Sequence, residues 1–202
     1  MSIITMKIPY VLEDKSQREL LLKYIKNYNS IYNLTFNFVL DNLRNGIKVE
    51  SKDVLKFFKT KNNILLDTRF QTSSYYNVKE VITKLKNSGQ LDKKVIFGGK
   101  KLFLERCKNK ITSKEFKLRK LVPLYSVGQA LYKGNAKFQI LSKNCIVFKP
   151  SRNLYFNFKI SLNKRNKYNN FLKKLIELQE QRRIPITYSL DFEYIYISFE
   201  HT

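Results

Sequence analysis

Metal-binding and nucleophilic side chains are scarce in this chain. Cys107 and Cys145 are its only cysteines, and His201 is its only histidine. Two cysteines are too few for a disulfide framework, and neither has a second cysteine at zinc-ligand spacing. Both read as reduced, packed thiols of a cytoplasmic protein in a bacterial or phage-infected cell. No metal or other cofactor is expected. Long apolar runs are also missing. No stretch approaches 18 uncharged apolar residues, which excludes a spanning helix. The first ten residues, MSIITMKIPY, show no basic segment leading into an apolar one, so no signal peptide is expected. Internal repeats, low-complexity tracts and Pro-rich linkers are absent from the sequence.

Acidic residues are sparse relative to basic ones: 16 Asp and Glu against 39 Lys and Arg, a net charge of +23. An AT-rich genome raises lysine content, but it does not explain where the acids are missing. Between Glu115 and Glu177 lie 61 residues with no acid and 14 Lys or Arg. Folded surfaces ordinarily mix both signs. A one-sign field of this length suits a polyanion, and a phosphate backbone is the common one. An anionic membrane surface fits less well, because no helix shows a basic face opposite a wide apolar one.

What remains is ample for a core. The chain is 43% hydrophobic and 14% aromatic over 202 residues, which places it among folded rather than disordered sequences. Ile3–Ile8 reads as a strand closed by Pro9. Helical spacing follows at Leu20, Leu21, Tyr24, Ile25 and Tyr28, with Asp14 or Ser16 as cap. A second helix is expected over Ile31–Leu43, ended by Gly46. Ser51 is expected to cap a third, and a fourth covers about Thr72–Lys86. Two short basic helices are expected near Lys100–Cys107 and Ser113–Leu121, the second with Ser113 as cap. After Pro123 the period changes to two. Alternation at Leu154–Ile160, Ile184–Leu190 and Phe192–Ile197 predicts strands, with two more at Ala136–Leu141 and Cys145–Lys149. One amphipathic helix, about Lys164–Arg182, interrupts them, with Tyr168, Phe171, Leu172, Leu175 and Ile176 inward. A lone N-terminal strand needs partners, and those after residue 123 can supply them. The order therefore predicts an α+β fold, a small antiparallel oligonucleotide-binding-like β-barrel with a helical block inserted after its first strand. Its segments are 1–12, 13–122 and 123–202.

The stretch KKVIFGGKKLFLERCKNK, Lys93–Lys110, superficially suggests a phosphate loop. A nucleotide-binding loop needs Gly, four residues, then Gly-Lys-Ser/Thr. Position 94 is lysine where the first glycine belongs, and position 101 is lysine where the hydroxyl belongs. Nucleotide binding is therefore rejected. From Lys93 to Lys120 there are eleven Lys or Arg and two Glu, which suits a phosphate backbone better. Lys93, Lys94, Lys100, Lys101, Arg106, Lys108, Lys110, Arg119 and Lys120 form a first candidate cluster for phosphate contact. Lys133, Asn135, Lys137, Lys149, Ser151 and Arg152 form a second, on or beside the barrel. Arg152 is singled out because its planar fork suits phosphate or guanine edges. Tyr125, Tyr132 and Phe138 can stack on bases, although core packing suits Phe138 equally.

The run IFGGKKLFLERCKNKITSKEFKLRKLVPLYSVGQALYKGNAKFQI, then IVFKPSRNLYFNFKI and IPITYSLDFEYIYISFE, resembles the N-terminal half of TnpB/OrfB-like proteins and related type V CRISPR effectors. The early KNYNSIYNLTFNFVLDN resembles the opening recognition helices of the same family. The resemblance implies that the barrel is a wedge domain and the helical block a recognition lobe. It implies structured guide RNA and target DNA as partners. It also places the reading of a short flanking DNA motif roughly at RFQTSSYYNVK, where Gln71, Ser74 and Asn77 can meet base edges. Phosphate there can meet a free helix N-terminus.

The family's RuvC-like nuclease domain follows the wedge, and this sequence stops near where it would begin. Asp191 and Glu193 could form a metal pair but read better as part of a solvated hairpin turn, and His201 reads as a tail residue. The chain is therefore not expected to be an enzyme on its own. It reads as the non-catalytic half of a split guided nuclease, with a separate RuvC-like chain, or as a nuclease-less regulator or inhibitor. The alternative is a general RNA- or DNA-binding phage or ribosome-associated protein with no guide RNA.

Overall fold

Alternating side chains set the sheet. In strand β5, Leu154–Ile160, Phe156, Phe158 and Ile160 are buried while Tyr155, Asn157 and Lys159 face out. The computed structural model describes residues 2–61, 66–91, 99–160, 167–182 and 184–201. The other strands are β1 (Ser2–Val11), β2 (Leu124–Ser126), β3 (Phe138–Ser142), β4 (Cys145–Ser151), β6 (Thr187–Leu190) and β7 (Tyr194–His201). All neighbours are antiparallel, in the order β2-β6-β7-β1-β5-β4-β3. The sheet curls into a half-barrel, and the fold is α+β.

The curl shows where the two ends of the sheet meet. Phe138 of β3 stacks on Tyr188 of β6 with ring centroids 4.8 Å apart and planes 7° apart. Phe138 also stacks on Phe148 at 4.6 Å, and Phe148 on Phe156 at 5.7 Å. Phe138 is therefore a core ring, not a base-stacking one. Each of these rings is fully buried, and burial of a side chain this size contributes about 2–3 kcal/mol.

Among the described residues, five helices lie between β1 and β2: α1 (Lys15–Arg44), α2 (Ser51–Lys59), α3 (Thr68–Asn87), α4 (Gly99–Cys107) and α5 (Ser113–Arg119). α6, Lys167–Glu180, follows β5. α1 and α3 share the core of the sheet. Tyr28 of α1 meets Phe70 of α3 edge-on at 6.5 Å, and Phe70 meets Phe148 of β4 at 6.0 Å.

α1 replaces the two helices expected from the sequence. Asn29 and Ser30, between the two expected helices, are both weak helix formers. Their polar atoms are instead used within the continuous helix: Ser30 Oγ donates to the Lys26 carbonyl, and Asn29 Oδ1 accepts from the Val122 amide. The buried stripe Leu21, Ile25, Tyr28, Ile31, Tyr32, Thr35, Phe36 and Val39 runs unbroken past them. Asp14 caps α1 as expected, and Gly46, at φ +73°, provides the left-handed turn beyond its end. Thr112 rather than Ser113 caps α5, and Glu50 rather than Ser51 precedes α2. β1 continues through Pro9 to Val11. His201 is not in a tail: its backbone pairs with Ser2 at the end of β7.

The β3 edge is closed by a side chain. The Gln179 amide of α6 accepts from Ile140 N at 3.0 Å and donates to Ile140 O at 3.1 Å, mimicking a neighbouring strand.

Candidate nucleic-acid interface

The first basic cluster is carried largely by α4 and α5, which pack on one another. Neither helix buries a side chain, and Ile111 between them is the buried anchor. Lys100, Lys101 and Lys108 recur at helical spacing. With Leu104, Glu105 and Lys110 they border an open recess of about 510 Å³. All four lysines are exposed, and none makes an ion pair among the described residues. Arg106 has a different role. Its guanidinium donates to Asn109 Oδ1 at 3.3 Å and to Ser113 Oγ at 2.6 Å, holding the α4–α5 turn. Thr112 and Glu115 cap α5 reciprocally, and the Thr112 amide holds the Glu115 carboxyl below its usual range. Arg119 and Lys120 are exposed at the end of α5, with the Lys120 ammonium over Phe116. Lys93 and Lys94 lie outside the described residues. Cys107 is exposed, contrary to the packed thiol expected, while burial pushes the Cys145 thiol up.

The second cluster divides. Lys149, Ser151 at the end of β4 and the turn residue Arg152 are exposed at the β4–β5 end, where Lys149 Nζ lies 3.5 Å from Gln139 Oε1. Asn135 and Lys137 are interior, correcting the expectation that they meet nucleic acid. Lys137 pairs with Asp67 and donates to the Pro150 carbonyl at 3.2 Å. Its ammonium is 5.4 Å from the centre of the Phe70 ring. Asn135 is 1% exposed, and its amide is fully engaged. Oδ1 accepts from Ser126 Oγ, Lys137 N and Phe138 N; Nδ2 donates to the carbonyls of Ser126, Val127 and Ile186. Tyr125 is half-buried in β2, with its hydroxyl pushed up mainly by burial.

The expected motif-reading residues are buried or half-buried. α3 begins at Thr68 rather than near Thr72, so Gln71, Ser74 and Asn77 lie within its body. Ser74 is buried, bonded to Thr35 Oγ1 and donating to the Gln71 carbonyl. Asn77 is part-buried with Nδ2 3.5 Å from the Tyr28 hydroxyl, and Gln71 is half-buried. Asp67 caps the start of α3, accepting from the Arg69 amide.

Tyr132 remains accessible, and it has a partner that sequence reasoning passed over. The Arg69 guanidinium lies 4.2 Å from the centre of its ring, and donates to Gln129 Oε1 at 3.0 Å. Lys133, in a left-handed conformation at φ +52°, reaches Glu180 at 2.9 Å. The available signal was the pair of glycines, Gly128 and Gly134, bracketing this short loop.

Asp191 serves the β6–β7 turn. Oδ1 accepts from the amides of Glu193 and Tyr194, and Oδ2 from the Tyr196 hydroxyl. Burial, and then Asp191, push that hydroxyl up to about 12. Among the described residues no group of three or more His, Cys, Asp or Glu is placed to hold a metal ion. No helix among them is long and apolar enough to cross a membrane. No protein-family model matches the chain, and no curated protein matches it.

Proposed function

We propose that this chain binds nucleic acid, with its α4–α5 hairpin and the β4–β5 turn as the principal phosphate contacts. The observation that carries the reading is the convergence of Lys100, Lys101, Lys108 and Lys110 on one recess with no acid neutralising them by an ion pair among the described residues. With the single carboxylate of Glu105 on the same recess, four ammonium groups leave a net positive charge there that is self-repelling at low salt, and a polyphosphate relieves that repulsion while releasing counterions.

The finer reading is an RNA-guided one. In it, the half-barrel is a wedge of the oligonucleotide-binding type and the helices after β1 are its recognition lobe. Structured guide RNA and target DNA are the ligands. The chain acts without catalysis of its own, either beside a separate RuvC-like nuclease chain or as a nuclease-less regulator or inhibitor. Supporting this are the resemblance across most of the sequence and a helical block between the first two strands of a curled antiparallel sheet.

The test is affinity purification of the tagged chain from its native host, with bound RNA sequenced and bound proteins identified together. One dominant structured RNA with a RuvC-like protein establishes a split guided nuclease. The same RNA alone establishes a regulator or inhibitor. Heterogeneous RNA leaves a general nucleic-acid-binding protein, and no nucleic acid at all refutes the proposal.

A further inference from the structure

The loop between β2 and β3 presents two apolar side chains to solvent on a stiff base. Leu131 is 82% exposed and Tyr132 48% exposed. Their exposure is not the result of a loose segment. At Gly128 an added Cβ would lie 2.5 Å from Ile186 N, and at Gly134, φ +85°, one would lie 2.7 Å from Ile186 Cδ1. Both ends of the loop are thus seated against Ile186, the residue before β6. The Gly134 carbonyl accepts from the amides of both Gln129 and Ile186 at 2.8 Å. Further bonds from Tyr132 N to Gln129 O and from Asn135 N to Tyr132 O close the turn. Lys133 is fixed to Glu180 across to α6.

The Tyr132 ring is also prepared on one side. Arg69 covers it at 4.2 Å and is itself held by Gln129. Such an arginine–aromatic pair is attractive in itself, keeps the ring in one orientation, and leaves further guanidinium N–H groups to donate. Ordering costs that binding would otherwise incur are already met within the fold.

We propose that Tyr132, backed by Arg69 and flanked by Leu131, is a stacking platform for one unpaired nucleobase. This deepens the nucleic-acid reading above and rests on it. A base offers a flat apolar face to the side of the ring that Arg69 does not cover, while the guanidinium behind the ring adds positive charge for the neighbouring phosphates. Leu131 packs at the rim of the stacked base. A duplex interior offers no such face, so the platform selects single-stranded segments or unpaired ends.

Single-stranded and duplex oligonucleotides of equal length and sequence, labelled with fluorescein, would be titrated against the full chain, Tyr132→Ala, Tyr132→Phe and Leu131→Ala over a range of salt. A second set carries 5-iodouridine for photocrosslinking. The expected result is that Tyr132→Ala weakens single-strand binding by roughly 5- to 150-fold, the effect of one stacked base, with the salt slope unchanged. Tyr132→Phe should retain affinity, duplex binding should not move, and the crosslink should map to Tyr132. Equal weakening on single strand and duplex, or a crosslink elsewhere with affinity intact, would overturn the platform while leaving nucleic-acid binding in place. So would intact oligonucleotide affinity in Tyr132→Ala and Leu131→Ala chains that lose a co-purifying protein, because the loop would then dock a protein. Failure of the unaltered chain to bind either oligonucleotide refutes the underlying reading, and the platform with it.

Discussion

Asn135 Nδ2 donates to the Ile186 carbonyl at 3.0 Å, across 51 residues of chain and across the seam where the two ends of the sheet approach. On one side of that seam lie β2 and the approach to β6. On the other, the same side chain accepts from the amides of Lys137 and Phe138 as β3 begins. One buried amide thus does the pairing that a closed barrel would assign to a run of strand hydrogen bonds. Donating to three carbonyls and accepting from two amides and a hydroxyl, it is saturated.

Asn135→Ala strands several buried donors and carbonyls at once. Leaving one such group unpaired costs about 1–3 kcal/mol, so a loss of at least about 3 kcal/mol is expected. Asn135→Asp should fare no better, because a carboxylate cannot donate to the three carbonyls. Urea unfolding followed by far-UV circular dichroism reads the difference. A midpoint like that of the unaltered chain would show that the seam is not held by this side chain.

Glycine at the seam is needed for space rather than for freedom alone. At Gly128 an added methyl meets the backbone of Pro185 and Ile186 within 2.8 Å, and backbone cannot swing aside. At Gly89, φ +64°, the methyl meets nothing and only the backbone conformation is strained. Gly128→Ala should therefore cost about 3 kcal/mol or more, from overpacking, against about 1–2 kcal/mol for Gly89→Ala. Thermal unfolding of both variants under one buffer checks the order. Equal midpoints would argue against a tight approach of this loop to the Pro185–Ile186 backbone.

The longer strands after residue 123 and the order of strand, helices and strands were legible because period two and period 3.6 are strong signals when long. Boundaries failed where tertiary contacts override propensity, as at Asn29 and Ser30 inside α1. β2 was missed because three residues carry too little pattern, and Tyr125 reads the same in a loop. Within the candidate interface, composition located the cations but could not say which way each points. Lys108 and Lys137 look alike in sequence, yet one faces solvent and the other is paired with Asp67 beneath the sheet end. That distinction depends on Asp67, 70 residues earlier, which no local window contains. The Arg69–Tyr132 pair was illegible for the same reason.

The salt dependence of binding separates phosphate-binding side chains from scaffold. Lys100, Lys101 and Lys108 changed together to Ala should flatten the slope of log K against log salt by about 2–3, at roughly 0.7–0.9 for each phosphate no longer neutralised. Circular dichroism should be unchanged, since none of the three is buried. Arg106→Ala alone should instead loosen the α4–α5 turn, because its guanidinium is already committed to Asn109 and Ser113. Hydrogen exchange across Gly99–Arg119 reports that loosening. An unchanged slope in the triple variant removes the α4 face from the nucleic-acid-binding surface.

Alkaline pH tests the packed tyrosines, and Tyr188 isolates the effect. Its hydroxyl is fully buried with no hydrogen-bond partner among the described residues, and burial pushes its ionisation well above the ordinary value of 10.0. The folded state keeps the proton while the unfolded chain gives it up above pH 10. Stability from this group is therefore intact below pH 10 and falls as pH rises beyond it, by about 1.4 kcal/mol for each further unit. Tyr32, pushed to about 12 chiefly by burial, acts in the same direction. Lysine deprotonation in that range works the other way by relieving like-charge repulsion, so the unaltered chain alone gives a mixed signal. Tyr188→Phe removes the titration with almost no loss of shape or of hydrogen bonds. It should match the unaltered chain within about 1 kcal/mol at pH 7. By pH 11 its relative stability should have risen by about 1.4 kcal/mol. Urea midpoints at pH 7, 9, 10 and 11 measure this. A constant difference between the two chains across that range would mean that the Tyr188 hydroxyl reaches solvent or a partner and ionises normally in the fold.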